Sequence, residues 1–379
     1  MKILIVGAGI AGLTLASFLK EHEGFDVDII DKAPDWSHLG FTIDIWDVGR
    51  RILARLDLDD DFDDLSHPVH SYYVADKKLN NRIVLEHFEK FYKKYPSVLS
   101  QINRKDVHAI LIKKSECDIR MNLSIESVND AGDKVLVTFS DKSIESYDLV
   151  VGADGIHSQI RELIYPDVKI EYTGDRGWFT WIAQKYVSPQ TITEILGPNT
   201  MCSLFDNPNQ ACAFFTAKEI PGTFCDPSTR MDRLKKHFKD YGSPIPEILS
   251  ELKAEDLMPT DIGFIKTDKW IKGRIIIIGD AAHAMEPFAG IGASMAMEDA
   301  YVLADELIQI QLKEIPKALE AYKKRRLPRI KLARHQTRLN YYTDVSKIPG
   351  LHFLERVLAP FFSTSHFTKG YARLLETEP

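Results

Sequence analysis

Apolar residues along this chain fall into unbroken runs, alternating runs and helically spaced sets, and each kind of pattern predicts a different element. Ile3-Leu4-Ile5-Val6 is unbroken, which reads as a strand over residues 2–6 buried on both faces. A helix over 10–20 and a second strand over 26–31 follow, the opening of a βαβ unit. Ile52, Leu53 and Leu56 share one face of a helix over 48–56. Asn103 is placed to cap a helix over 104–114, with Asp106 in its first turn. Residues 118–147 alternate in short segments broken by Asn129-Asp130-Ala131-Gly132-Asp133, the pattern of a small β-meander, before Asp148–Gly152 returns to a buried strand. From about 170 to 265 the rhythm changes. Runs at 176–187, 191–196, 201–206 and 210–217, separated by Pro and Gly, predict an antiparallel sheet with a helix near 228–239. Residues 274–279 predict another buried strand, and a long helical pattern runs from about 292 to 342, where Pro316 and Pro328 are expected to break or kink it.

Composition narrows the class. The 379 residues allow two domains of ordinary size, and 44% hydrophobic with 27% charged residues is normal for a globular protein. A formal charge of −7 argues against a general affinity for nucleic acid. Cys117, Cys202, Cys212 and Cys225 form no C-x-x-C pair, so no metal site or disulfide framework is expected, and a cytoplasmic, reducing location fits. The glycines that interrupt the first apolar stretch make it a strand and helix rather than a signal peptide, and no run is long enough to predict a transmembrane segment.

The chemistry begins at Gly7, Gly9 and Gly12, a G-x-G-x-x-G directly behind the first strand. Gly7 permits the tight turn, Gly9 lets backbone approach a pyrophosphate, and Gly12 lets the helix pack closely on the strand. Ile10 and Ala11 open that helix, whose unpaired N–H groups and positive dipole end favour an anion. Asp31, followed by Lys32, ends the second strand roughly twenty residues on, where an acid is expected to bond ribose hydroxyls. This motif alone does not separate NAD from FAD.

Two further segments do so by resemblance. Asp148 to Arg161, with Gly152, Asp154, Gly155 and Ser158, resembles the "DG" motif of the group A FAD-dependent monooxygenases; Gly273 to Gly292, with Gly279, Asp280, Pro287 and Gly290, continued by Glu298-Asp299-Ala300, resembles their "GD" motif. That family includes para-hydroxybenzoate hydroxylase, ubiquinone-biosynthesis hydroxylases and the tetracycline-inactivating branch. The resemblance implies an α/β fold, a Rossmann-like FAD-binding domain (1–70, 101–169 and 266–312) with an inserted antiparallel-sheet substrate domain (71–100 and 170–265) and a C-terminal helical region (313–379). It implies that Asp280 bonds the ribityl or phosphate part of FAD, and that Pro287, Gly290, Gly292 and Ala293 bring a loop and helix start beside the isoalloxazine. Arg104 matches an arginine that neutralises FAD phosphates, Asp154 supports the cofactor or caps the helix at 156–163, and Asp44 matches an acid near the flavin in the tetracycline-inactivating branch. Where many relatives carry Gly-Gln-Gly, this chain has Gly290-Ile291-Gly292.

The same resemblance implies the reaction: NAD(P)H, with NADPH the leaning, reduces the flavin, O2 forms a C4a-hydroperoxide, and one oxygen enters an aromatic or polycyclic small molecule. A flavin reductase or dehydrogenase acting on a lipid or isoprenoid, and a non-catalytic flavin-binding protein, are the alternatives. The pocket is expected between flavin and the 170–265 sheet, with Trp178, Trp181, Phe205, Phe215 and Phe288 as substrate contacts and Phe214 on a neighbouring strand; ordinary sheet core is the competing reading. No catalytic residue is assigned: Tyr72, Tyr73 and His283 are weak candidates for a base, His283 reading better as a packed histidine. The basic run Lys323-Lys324-Arg325-Arg326, with Arg329, Lys331, Arg334 and Arg338, reads as a solvated helix face. The amphipathic stretch 351–362 suits a cover on the nucleotide domain, a dimer contact or a membrane surface, with intramolecular packing favoured, and a monomer or homodimer is expected.

Overall fold

The structure is a computed structural model and describes residues 1–37, 40–79, 82–84, 98–208, 210–222, 225–345 and 371–379. The amphipathic stretch 351–362 lies outside the described residues. The first apolar run forms the strand Lys2–Val6, in which Ile3, Leu4 and Ile5 are fully buried. It pairs in parallel with Asp26–Ile30 on one side and Leu149–Gly152 on the other, and Leu149–Gly152 pairs in parallel with Ile275–Ile277. Short strands Ile271–Lys272 and Ile119–Arg120 complete this six-stranded sheet at its two edges. Strands buried on both faces need helices over them. The helix Ile10–Lys20 supplies one cover and packs against the helices Arg104–Ser115 and Gly292–Ile308. Asn103 caps the second of these, its side chain accepting from the Lys105 N–H.

The meander at 118–147 forms as a separate three-stranded sheet of Ile125–Asp130, Val135–Phe139 and Ile144–Tyr147. A second sheet has seven strands, in the spatial order Met258–Phe264, Glu171–Ile182, Ala211–Lys218, Thr200–Phe205, Thr191–Gly197, Ser71–Asp76 and Arg82–Val84. It is antiparallel except where Thr191–Gly197 lies parallel to Ser71–Asp76. One face packs on the helices Pro227–Phe238 and Ile245–Glu251 around Trp178, Phe215, Leu234 and Phe238. The other carries Met201 and Phe214, which meet Phe288 from the nucleotide-binding side. A small sheet of Thr42–Trp46, Leu99–Asn103 and Ser66–Pro68 lies between; the apolar pattern predicts none of its strands because each is short and mixed.

In the C-terminal helices an interruption is present near one proline and absent at the other. The pattern does break, between Ile308 and Ile315, just before Pro316. The helix Ile315–Val345 then runs through Pro328 without ending. Proline removes one N–H and crowds the preceding turn, a local cost that tertiary packing offsets here: Tyr322, Arg326 and Ile330 around it are fully buried.

Candidate active site

The groove is built first from backbone. Gly7 has φ +105°, and a Cβ there would lie 2.5 Å from the Ala153 carbonyl oxygen, so only glycine lets the end of the first strand meet that of its neighbour. A Cβ on Gly12 would lie 2.0 Å from the Gly7 oxygen, which shows how tightly the opening helix sits on its turn. Gly9 differs: a Cβ there meets nothing within 4 Å, and Gly9 is the N-cap of a helix with no side-chain cap and no acid in its first turn. The first N–H groups of Ile10 and Ala11 therefore sit at an uncapped, positive helix end, with Ala11 buried and Ile10 half-buried. Asp31 is tied to this turn, one oxygen accepting from the Ala8 N–H at 2.9 Å and the other from the Ala33 N–H at 2.8 Å; Lys32 beside it is exposed.

The opposite wall comes from the last parallel strand. Gly279, at φ +58°, is wedged where a Cβ would lie 3.1 Å from the Ala11 Cβ and 3.4 Å from that of Ala296, so it draws the two helices together. Asp280 starts the short helix Asp280–His283 and is exposed. The surrounding protein pushes its carboxyl upward, His283 and Arg104 pull it back, and its exposure screens both effects. Arg104, also exposed, opens its helix and is held by its own N–H donating to the Phe41 carbonyl at 3.0 Å. The helix Gly292–Ile308 likewise starts with no side-chain cap and no acid in its first turn; a Cβ on Gly292 meets nothing within 4 Å, and Ala293 is half-buried. Two uncapped helix N-termini, an acid and an arginine thus border one groove, a donor set that suits a dinucleotide carrying a pyrophosphate and hydroxyls. Asp154 caps the helix Gln159–Ile164 through the N–H groups of Gln159 (2.7 Å) and Ile160 (3.2 Å), while its other oxygen is buried without a hydrogen-bond partner among the described residues.

Beyond Pro287 and Gly290 lies a cavity. Its aromatic walls are Phe205, Phe214 and Phe288, and Trp46 stacks on Tyr371 at 4.1 Å to close one side. The Trp46 indole donates to the Ala289 carbonyl at 3.1 Å, fixing the 287–289 turn that Pro287 begins. Two carboxyl groups, Asp44 and Glu194, also line it. Gly290, at φ +58°, is pressed so close that a Cβ would lie 2.4 Å from Asp44 Oδ2. Burial pushes Asp44 up to about 7, against a weak hydrogen bond from Gln101 at 3.3 Å. Burial also pushes Glu194 up to about 7, which the Tyr72 hydroxyl opposes and the charge of Asp44 reinforces.

Several expected substrate contacts are elsewhere. Trp178 and Phe215 are fully buried and face the helices Pro227–Phe238 and Ile245–Glu251, not the cavity. They pair across two strands, as do their neighbours Phe179 and Phe214, which point the other way and stack at 4.1 Å. Alternation separated the two faces; nothing in the pattern said which face looks toward the groove. Trp181 shares the groove-side face and meets Phe41 at 5.1 Å, but does not line the cavity; it borders an open surface cleft with Gln184 and Tyr186. Phe205 and Phe288 do line it. Glu194, Ser203, Met201 and Tyr371 are cavity residues that sequence reasoning missed, although a lone acid inside the apolar run Thr191–Gly197 was a usable signal for Glu194.

The basic run requires a second correction. Arg326 is fully buried and Arg329 nearly so, and both pair with Glu298. Arg326 Nε also donates to Asp299 at 2.7 Å, and Asp299 accepts from the Gly279 N–H at 2.8 Å and pairs with His283 Nε2 at 2.5 Å. Burial alone would raise Asp299, but His283 and Arg326 hold its carboxyl well below the usual range. His283 is 1% exposed within this cluster and does not line the cavity; of the tyrosine candidates, Tyr72 does. The cluster therefore locks the Gly279 turn and with it the Asp280 wall.

Comparison with known proteins agrees with this geometry. The profile of the FAD binding domain family matches residues 1–337. The chain is 30% identical over 324 residues to 2-heptyl-3-hydroxy-4(1H)-quinolone synthase of Pseudomonas aeruginosa, covering 80% of each protein. It is 25% identical over 344 residues to the FAD-dependent urate hydroxylase of Klebsiella pneumoniae, covering 87% of each. The structure of Klebsiella pneumoniae HpxO complexed with FAD and uric acid superposes with a TM-score of 0.88 at 22% identity, covering 100% of this chain and 97% of that one. Tetracycline destructase Tet(51) gives a TM-score of 0.76 at 23% identity, with 100% and 98% covered.

Proposed function

This chain belongs to the FAD-dependent monooxygenase family built on that FAD-binding domain, and from that premise we propose that it uses NADPH and O2 to hydroxylate a small aromatic or polycyclic molecule. The observation that carries the reading is the junction of two features: a groove bordered by two uncapped helix N-termini opens, past Pro287 and Gly290, onto a cavity with aromatic walls. Bound FAD would supply reduction by the nicotinamide and activation of oxygen.

The chain's own residues do the rest. The N–H groups at Ile10 and Ala11 would hold the pyrophosphate, with Arg104 adding charge, and Asp31 would take ribose hydroxyls while staying fixed to the Ala8 N–H. Asp280 would accept from cofactor hydroxyls, and the helix start at Gly292 and Ala293 would favour negative charge on the ring. Phe205, Phe214 and Phe288 would hold the substrate ring and exclude water. One relative is named as a quinolone synthase and another as a urate hydroxylase, and quinolones and urate are both flat heterocycles, which supports a flat ring substrate. We place the protein in the cytoplasm because its free cysteines suit a reducing compartment.

The test is turnover under labelled dioxygen with a panel of phenols, quinolones and polycyclic compounds. The expected result is a stimulated rate of NADPH oxidation and one labelled oxygen atom in the product, the other leaving as water. Substrate conversion with no label incorporated contradicts the reading.

A further inference from the structure

Glu194 and Ser203 are direct cross-strand partners on the cavity face of the seven-stranded sheet, and both line the cavity. Ser203 is only 2% exposed and stands on the cavity lining beside Glu194. Glu194 is 7% exposed, and Asp44 stands close enough for its charge to act on Glu194. Among the described residues that line the cavity there is no Lys, Arg or His. An aromatic-walled chamber therefore presents two carboxyl groups and a hydroxyl, with no basic residue among its described lining.

We propose that this cavity selects an aromatic ring bearing an N–H or ammonium donor, received by Glu194 and Ser203 with Asp44 facing it, and rejects rings bearing a carboxylate. The physical argument is one of satisfaction and exclusion. A carboxylate drawn out of water with no basic residue beside it is costly, and the Tyr72 hydroxyl offsets only part of that cost at Glu194, so a ligand donor placed between Ser203 and Glu194 is favoured. An anionic ring would be buried beside two carboxyl groups with nothing to neutralise it, which is specificity by repulsion. The aromatic walls at Phe205, Phe214 and Phe288 accept the ring in either case, so the polar edge decides. The inference rests on the cavity being the substrate site and names the substrate class.

The test is equilibrium dialysis of the FAD-loaded protein at pH 8, above the raised range of Asp44 and Glu194, against two probes of matched shape, 1-naphthylmethylamine and 1-naphthoate. The amine is expected to bind about tenfold or more tightly than the acid. Glu194→Gln and Ser203→Ala are each expected to weaken amine binding by about fivefold or more, and Glu194→Gln to narrow the preference over naphthoate. Melting temperature and flavin content are measured on the same samples, so a misfolded Glu194→Gln protein is recognised and the milder Ser203→Ala change still decides. Naphthoate binding as well as the amine, neither probe binding to flavin-loaded protein, or a preference unmoved by both substitutions overturns the proposal. A preparation that retains no FAD fails the monooxygenase reading instead, and the probe ranking on that apoprotein still reads the cavity.

Discussion

A methyl group on Gly9 meets no protein atom within 4 Å, whereas on Gly7 or Gly12 it strikes backbone at 2.5 Å or 2.0 Å. The three glycines of one motif therefore answer to different demands. Gly7 and Gly12 serve the fold, and Gly9 keeps space free for a ligand. Gly9→Ala is expected to melt within a few degrees of the wild type yet lose about tenfold or more in FAD affinity, read by flavin released on dilution. Gly7→Ala is expected to lose stability as well, because its φ of +105° strains any side chain. The cavity acids give a second residue-scale prediction. Asp44 and Glu194 are raised by burial, from 3.8 and 4.5 to about 7 each, so the folded state binds more protons than the unfolded one between those values. Folding stability from this pair is then lost as pH rises from about 4 to about 7. Tyr72 on Glu194, and Gln101 and Cys212 near Asp44, are the groups facing them. Glu194→Gln should raise the melting temperature at pH 8 relative to wild type, and that gain should disappear near pH 4.

At the scale of elements, the long C-terminal helix is an internal strut. Arg326 satisfies Glu298 and Asp299, which are both fully buried, and Asp299 in turn holds the Gly279 turn. Removing one partner of a buried pair leaves the other charged and unpaired, so Arg326→Met is expected to cost about 3–5 kcal/mol in chemical denaturation. Lys324→Ala, two residues away and exposed, should be within about 0.5 kcal/mol of wild type. Charge runs on a helix look alike in one dimension; only the partners Glu298 and Asp299 on another helix separate Arg326 from Lys324. The strand pair around Trp178 makes the same point. Trp178→Ala should cost about 3–5 kcal/mol through the cavity it leaves in the sheet's helix-covered core. Phe205→Ala, on the chamber side, should instead reduce probe binding with a smaller loss of stability.

For the whole molecule, what could be read from sequence was what local rules determine. Buried runs at 2–6 and 149–152, the caps at Asn103 and Ser158, and the glycine turns follow from backbone sterics and hydrogen bonding within a few residues, and they place the nucleotide groove. The chamber was not legible in this way, because Asp44, Tyr72, Glu194, Ser203 and Tyr371 come from five separate segments and meet only after the two sheets close on each other. Pro328 inside a continuous helix and Arg326 inside a core are likewise decided by neighbours distant in sequence. The central claim concerns that assembled geometry: one FAD lies along the groove with its ring at the mouth of the chamber. A crystal structure of the purified protein with FAD tests it most directly. The account predicts the pyrophosphate over the first turn of Ile10–Lys20 and the ring edge against residues 287–292. Density for FAD at any other place, or a ring turned away from Asp44 and Phe288, would contradict it.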